Sequence, residues 1–497
     1  MNSLFFVRHS LFLFTFALHQ MSHSPALFLL KVSTKLCQIA ILRPLTQNFR
    51  PWKPQHTASK FLAWNGGFLG KLSSYWRWCK QEKKFEIAKS VEVTSTGDSH
   101  RVFFYVTNSI PYTSSGYAIR THEILSQLVS EGLPLAVATR FGYPAVIGKL
   151  GFACQDIVGN VVYRRLVPAI YSFSDEQRLE RSVDLLVKAA KEFGATIIHT
   201  TTGFENAVVA SRAAERLGIP WAYEIRGEPE LTWLSQHDGD AQGRAVQSKK
   251  FQQMHQRETE AASAASKVIV LSEVSKAEFI RRGIPSKNFI LVPNGVNSRA
   301  LTFNRTQSEC RRKLGIAEGP LVGTVSSVVG YEGIDVLIRA VAELESVSCL
   351  IVGDGTELPQ LRALARQIGV SDRILFVGRQ SSDTILDWYR VLDLFVLPRK
   401  DLDVCRRVTP IKALQAQALG VTVVASDLPA IREVTGEAAI FFEPGSVDEL
   451  AERISGCLSG AINVEEIKKD ARKWAESRKW ERAVKQLAIF YGGSKEH

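Results

Sequence analysis

Residues 348–361, SCLIVGDGTELPQL, decide the fold. An apolar run ends at Val352, a Gly353-Asp354-Gly355 turn follows, and a helical pattern then extends over about residues 357–369. Strand, glycine turn and helix in that order make one unit of a doubly wound parallel sheet. Glycines at such a turn let a ligand approach the backbone at the carboxyl edge of the sheet, where open α/β folds bind nucleotides. They also serve turn geometry alone, and both readings stand at this point. The turn is not GxGxxG with an acidic residue some 20 positions on, and the chain has no Walker A lysine motif, which disfavours a nicotinamide dehydrogenase.

The same unit repeats on either side. PLVGTVSS (320–327), RILFVGR (373–379), LDLFVLP (392–398), VTVVASD (421–427) and AAIFFEP (438–444) are further strands, with helices expected around 333–345 and 409–419. An earlier series, RVFFYVT (101–107), LAVATR (135–140), ATIIHT (195–200), PWAYEIR (220–226) and KVIVLSE (267–273), alternates with amphipathic patterns such as YAIRTHEILSQLVSEG (117–132). Two α/β units of similar size therefore face each other, with the Pro293-Asn294-Gly295 turn near their junction. The expected division is an extension over 1–100, Rossmann-like domains over 101–290 and 291–460, and closing helices over 461–497 that cross back to the first domain.

Composition bounds the rest. The chain has 497 residues, a net charge of +12 and seven scattered cysteines without a CxxC pair, which reads as reduced cytosolic thiols. Residues 1–100 hold 13 Lys and Arg against 4 Asp and Glu, so about +9 sits in the first fifth. A nucleic-acid binder would repeat that charge on its folded domains, so none is expected. A basic tail with Trp52, Trp64, Trp76 and Trp78 suits an anionic membrane surface. Its apolar run Leu11 to Leu18 is far short of the roughly 20 residues that span a bilayer. A signal peptide and an upstream start codon remain the other readings of this segment. The expected location is the cytoplasm, peripheral on the cytoplasmic face of the membrane.

The stretch CRRVTPIKALQAQALG (405–420) reads as the mouth of an anion site. Thr409 is the expected N-cap and Pro410 the first helical residue, so unpaired N–H groups and the positive dipole end face outward. Arg399, Lys400, Arg406 and Arg407 crowd that end, and four cations repel one another unless an anion sits among them. A diphosphate fits; the alternative is a solvated basic loop paired with Asp401 and Asp403. No metal is expected at those two carboxylates. In the first unit, Gly116 opens a helix after a small-residue loop, with Tyr117 and Arg120 inside its first turn. Glu224 and Arg226 end one strand, on the edge facing the cleft, where they contact ligand or pair with each other in burial; His199 lies near the end of another strand, as a cleft group or a hydrogen-bonded core histidine.

In order, TSSGYAIR, ATRFGYP, YEIRG, LVPNGVN, VGYEGIDVLIRAV, LIVGDG, LFVGR and VTPIKALQAQALGVTVVASD resemble glycosyltransferase family four, the retaining GT-B enzymes, over about residues 101–492. The resemblance implies a metal-independent transferase without cofactor. It would move a sugar from a nucleoside diphosphate to a glycan or lipid-linked acceptor in polysaccharide synthesis. It places Gly116, Gly353, Asp354, Gly355, Arg379, Thr409 and Gln415 around the donor and makes the first domain the acceptor side, where Tyr117, Arg120, His199, Glu224 and Arg226 are the candidate residues.

Four expected side chains are replaced. The Glu-x7-Glu signature falls on Arg407 and Gln415, and the Arg and Lys that usually meet the diphosphate fall near Ser327 and Glu332. A neutral Gln415 still bonds two ribose hydroxyls, whereas Arg407 accepts nothing from a sugar. The expectation is that Arg399, Lys400, Arg406 and Arg407 supply the missing positive charge as the catalytic group. The other reading is a catalytically silent GT-B subunit that binds or scaffolds in a polysaccharide assembly complex.

Overall fold

The structure, a computed structural model, describes Phe16 and residues 85–93, 99–149, 151, 153–172, 174–237 and 239–492. The basic extension thus lies almost wholly outside the described residues. Two sheets organise the chain, of eight and six strands.

The first sheet holds β1 (Val102–Val106), β2 (Leu135–Thr139), β3 (Gln155–Val158), β4 (Val161–Arg165), β5 (Ile197–Thr201), β6 (Trp221–Glu224), β7 (Lys267–Val270) and β8 (Phe289–Leu291). Its order is β3-β4-β2-β1-β5-β6-β7-β8, and every pairing is parallel except β3 with β4. Each strand of the central pair is covered on both faces. In β1 the alternating side chains Phe103 and Tyr105 enter one core, while Val102, Phe104 and Val106 enter another. The β3–β4 hairpin escapes a reading by apolar runs. Its strands are short and half exposed, and Gly159 at φ 57° with Asn160 makes the two-residue reversal.

The helices that flank this sheet include α1 (Gly116–Ser130), α2 (Asp175–Phe193), α3 (Phe204–Leu217), α4 (Lys249–Ala264) and α5 (Glu273–Arg281). Ser115 caps α1 by accepting from the Ala118 N–H, which fixes where the helix begins.

The second sheet runs β11-β10-β9-β12-β13-β14, all parallel, from β9 (Leu321–Val325), β10 (Ser348–Val352), β11 (Ile374–Gly378), β12 (Leu394–Leu397), β13 (Thr422–Ser426) and β14 (Ile440–Phe442). Helices α6 (Ile334–Ala342), α7 (Leu358–Gln367) and α8 (Ile411–Ala418) connect its strands. The opening stretch is therefore β10, a turn and α7, as read. Thr409 is not the cap of α8. The residue before that helix is Pro410, with no side-chain cap, because Thr409 is buried and its carbonyl oxygen accepts from Asn294 Nδ2 at 3.2 Å.

After the second sheet, α9 (Val464–Ser477) is followed by a short turn at Trp480–Ala483 and by α10 (Lys485–Gly492). Trp480, Val484, Leu487 and Tyr491 leave water inside the core of the first sheet, together with Val102 and Phe104. Burying side chains of this size contributes roughly 1.5–3 kcal/mol each, so the closing helices fasten the two units together. Among the described residues no helix is long and apolar enough to cross a membrane, and the five described cysteines are free thiols.

Candidate active site

In open α/β folds the carboxyl ends of parallel strands bind ligands, and at that edge the loops leaving β9, β10 and β12 pack on one another. The loop after β10 is tight against the loop after β9. A Cβ on Gly353 (φ 142°) would lie 1.7 Å from the Ser326 carbonyl oxygen, and one on Gly355 would lie 2.0 Å from that of Val328. Backbone packing alone demands these two glycines. Gly116 is the opposite case: a Cβ there meets nothing within 4 Å, so the first turn of α1 opens into free space. Beside it, the half-exposed Tyr117 lies over Gly227 and within the field of Arg399 from the other domain.

The centre of this loop cluster is a buried carboxylate. Glu332 ends a 3₁₀ turn (Gly330–Glu332) and is 2 % exposed. Arg399 donates to it at 3.0 Å and Lys412 Nζ at 2.8 Å. Burial pushes this carboxyl up, but the two cations outweigh burial and hold it at about 2. Lys412 also donates to Ser326 Oγ at 2.6 Å, and Arg399 donates to the Val408 carbonyl at 3.0 Å. One anion against two cations leaves a single net positive charge at the mouth of the cleft.

The four expected cations do not converge. Arg399 is buried on Glu332; Lys400 pairs with Asp335 at 3.4 Å; Arg406 is surface-exposed and pairs with Asp401 at 2.6 Å. Arg407 reaches across the cleft to Glu278 at 2.8 Å and Glu228 at 3.3 Å, and to Asp403 at 3.4 Å. The repulsion that called for an external anion is thus met by carboxylates of the chain. Sequence reasoning did not single out Lys412. The signal was Glu332 itself, because a carboxylate where a cation is expected needs a counter-cation nearby.

Several acceptor-side candidates also move. Arg120, His199 and Glu224 are at most 1 % exposed. Glu224 accepts from Arg120 Nε at 2.8 Å, contacts His199 Nε2 at 3.2 Å and accepts from Arg226. Burial raises this carboxyl, yet Arg226 and Arg120 hold it well below its ordinary range. His199 Nδ1 lies 2.7 Å from the Tyr491 hydroxyl, and burial lowers its pKa. Arg120 donates further to the carbonyls of Val292 at 2.7 Å and Pro293 at 3.1 Å, so it clamps the linker between domains. These three hold the junction and do not face the cleft. Arg226 is 5 % exposed and donates to the Tyr117 carbonyl, which keeps it just beneath the cleft surface.

Of the donor-side candidates, Asp354 and Arg379 are exposed, and Asp354 Oδ1 accepts from the Gly355 N–H at 3.0 Å. Gln415 is half-buried, and its amide makes no hydrogen bond among the described residues. A small recess between the domains is lined by Arg226, Glu228, Ser272 and Ser275 on one side and Arg407 and Thr409 on the other. Glu433 spans the same gap by accepting from the Glu273 and Val274 N–H groups at the start of α5.

Comparison with known proteins bears on the family and the fold. Residues 115–295 match the description Glycosyl transferase 4-like domain, and residues 319–460 match Glycosyl transferases group 1. Together these matches cover more than half of the chain. A GDP-mannose-dependent alpha-(1-6)-phosphatidylinositol monomannoside mannosyltransferase of Mycobacterium tuberculosis is 25% identical over 236 residues, 46% of this chain and 61% of the relative. A D-inositol 3-phosphate glycosyltransferase of Rhodococcus erythropolis is 25% identical over 294 residues, 56% of this chain and 64% of the relative. The chain thus spans about three fifths of the length of these curated relatives.

Among solved structures, sucrose-phosphate synthase from Thermosynechococcus elongatus superposes with a TM-score of 0.65 at 18% identity, covering 79% of this chain and 98% of that one. Anabaena HepE in complex with UDP and glucose does so at 0.61 and 20% identity, covering 79% and 99%. At such identities the likeness speaks for the fold.

Proposed function

The chain belongs to the group 1 glycosyl transferases with a 4-like first domain, and from that membership we propose that it moves a sugar from a nucleoside diphosphate to a glycan or lipid-linked acceptor. The observation that carries the reading is the cleft-facing side of α8. There Gln415 is half-buried, with an amide that has no partner among the described residues, at the position the resemblance assigns to the ribose. The named relatives act on GDP-mannose and inositol phosphate, and the HepE structure holds UDP and glucose. Their chemistry supports a nucleotide-sugar donor here. Fixed positive charge at the cleft mouth stabilises the leaving diphosphate, so the proposal includes no metal.

The test is release of nucleoside diphosphate from a panel of UDP- and GDP-sugars, with membranes supplied as acceptor. Acceptor-dependent release from at least one donor is expected. A donor at 100 times its dissociation constant also adds about 2.7 kcal/mol to stability, a measurable thermal shift. No release and no shift with any donor would overturn the proposal and leave the silent subunit as the better reading.

The extension completes the proposal. With about +9 and four Trp in residues 1–100, it attaches the enzyme to the anionic cytoplasmic face of a membrane, where lipid-linked acceptors lie. Each basic residue near such a surface contributes about 1 kcal/mol, screened by salt. Co-sedimentation with anionic liposomes should fall at high salt and disappear when residues 1–84 are removed. Equal sedimentation of both forms would end this part of the reading.

A further inference from the structure

Resting on that function, we propose that Lys412, and none of the four arginine and lysine side chains of the β12 loop, binds the donor diphosphate, in a charge exchange with Glu332.

The exchange is visible in the pairing. The diphosphate-binding lysine that the resemblance expects falls near Glu332, and a lysine in the first turn of α8, Lys412, has its ammonium 2.8 Å from that same carboxylate. Glu332 does not repel a phosphate on balance, because Arg399 beneath it already neutralises its charge at 3.0 Å. Lys412 is therefore the surplus cation. It is also the outward member of the three: its side chain is 20% exposed, against 7% for Arg399 and 3% for Glu332.

Donor capacity points the same way. An ammonium has three N–H donors, and Lys412 spends two, on Ser326 Oγ and on Glu332. The third remains for a phosphate oxygen. Lys412 and Gln415 stand three residues apart on one helix and are thus neighbours on its face. A cation beside an unengaged amide matches a phosphate beside ribose hydroxyls, which is how these groups neighbour each other in a nucleotide. The arginines offer no such match: Arg406 pairs outward with Asp401, and Arg407 is committed to Glu228 and Glu278 of the other domain.

The experiment compares UDP with uridine and GDP with guanosine by calorimetry. Lys412→Met leaves Glu332 and Arg399 as a neutral pair, so the fold keeps its balance of charge. It should weaken the diphosphate that binds by about 10- to 100-fold, the scale of a charge-assisted hydrogen bond, and leave its nucleoside within about twofold. Returning the cation to the loop in the double variant E332K/K412M should recover most of the lost preference. Acetylation of wild-type lysines, mapped by mass spectrometry, gives a readout independent of any variant: the bound diphosphate should shield Lys412 and its nucleoside should not. An unchanged preference in Lys412→Met, an equal loss for both ligands, or equal labelling with and without diphosphate overturns the inference. Should the wild type bind neither diphosphate, the functional reading fails together with it. Binding by the wild type with Lys412 silent fails the inference alone.

Discussion

Two ionic clusters of similar composition lie a short way apart, one under the domain junction and one at the cleft mouth. In the first, Glu224 is surrounded by Arg120, Arg226 and His199, and the cations spend further donors on linker carbonyls, on Thr121 and on the Tyr117 carbonyl. In the second, Glu332 is held by Arg399 and Lys412, and Lys412 keeps a donor in hand. Both anions are pushed up by burial and pulled back down by cations. What separates them is the partner left over. In the first cluster the one unspent donor, Arg226 Nε, is buried, which fits scaffold, whereas the second has a spare donor on a partly exposed cation, which is why it is the proposed site.

The largest effect expected from this contrast is at the junction. Glu224→Ala leaves Arg120 and Arg226 buried without their carboxylate, and unfolding free energy should drop by about 3–5 kcal/mol in a denaturant titration. A loss under about 1 kcal/mol would mean that the junction relaxes and is not the scaffold described.

The cleft cluster should announce itself through acid. Its depressed carboxyl, at about 2 against an ordinary 4.5, contributes stability that is fully present above pH 4.5 and lost as pH falls through 2. The difference corresponds to about 3 kcal/mol. Glu332→Gln should therefore be less stable than wild type at neutral pH, with the gap closing between pH 4.5 and 2. Parallel pH curves for the two proteins would contradict the pairing.

A smaller change is expected at Arg407. Removing it by Arg407→Ala leaves Glu228 and Glu278 with Arg282 as partner, so stability should fall by only about 1 kcal/mol. The domains lose a bridge across the cleft, however, and the radius of gyration from solution scattering should rise. An unchanged radius would show that Glu433 and the closing helices hold the cleft by themselves. The smallest effect belongs to Arg406, whose exposed pair with Asp401 faces water. Arg406→Ala should shift stability by no more than about 0.5 kcal/mol and leave nucleoside diphosphate affinity as it was. A selective loss of diphosphate affinity would restore the β12 loop as the anion site.

Much was legible in the chain because the signals are local. Apolar runs such as 349–352, each ending in a small-residue turn and followed by a 3.6-residue pattern, dictate strands and helices through neighbours only. Two such series in a row therefore announce two facing sheets. The ordered motifs from Thr113 to Asp427 announce the family, and Gln415 could be placed by counting along one helix. The β3–β4 hairpin was hidden because its strands are short and half polar, below what a period-2 pattern can show.

Tertiary structure decided which charges meet. Glu332 and Lys412 are 80 residues apart, Arg407 and Glu228 are 179 apart, and His199 and Tyr491 are 292 apart. No spacing rule reaches across such separations. The sequence determined that the basic and acidic residues exist and which elements bear them. Folding of the two sheets against each other determined that the β12 loop satisfies its own arginines and that one lysine on α8 is left with a donor to give. Electrostatic partnership depends on distances of a few ångströms between strand ends, and those distances are fixed by packing and not by chain order.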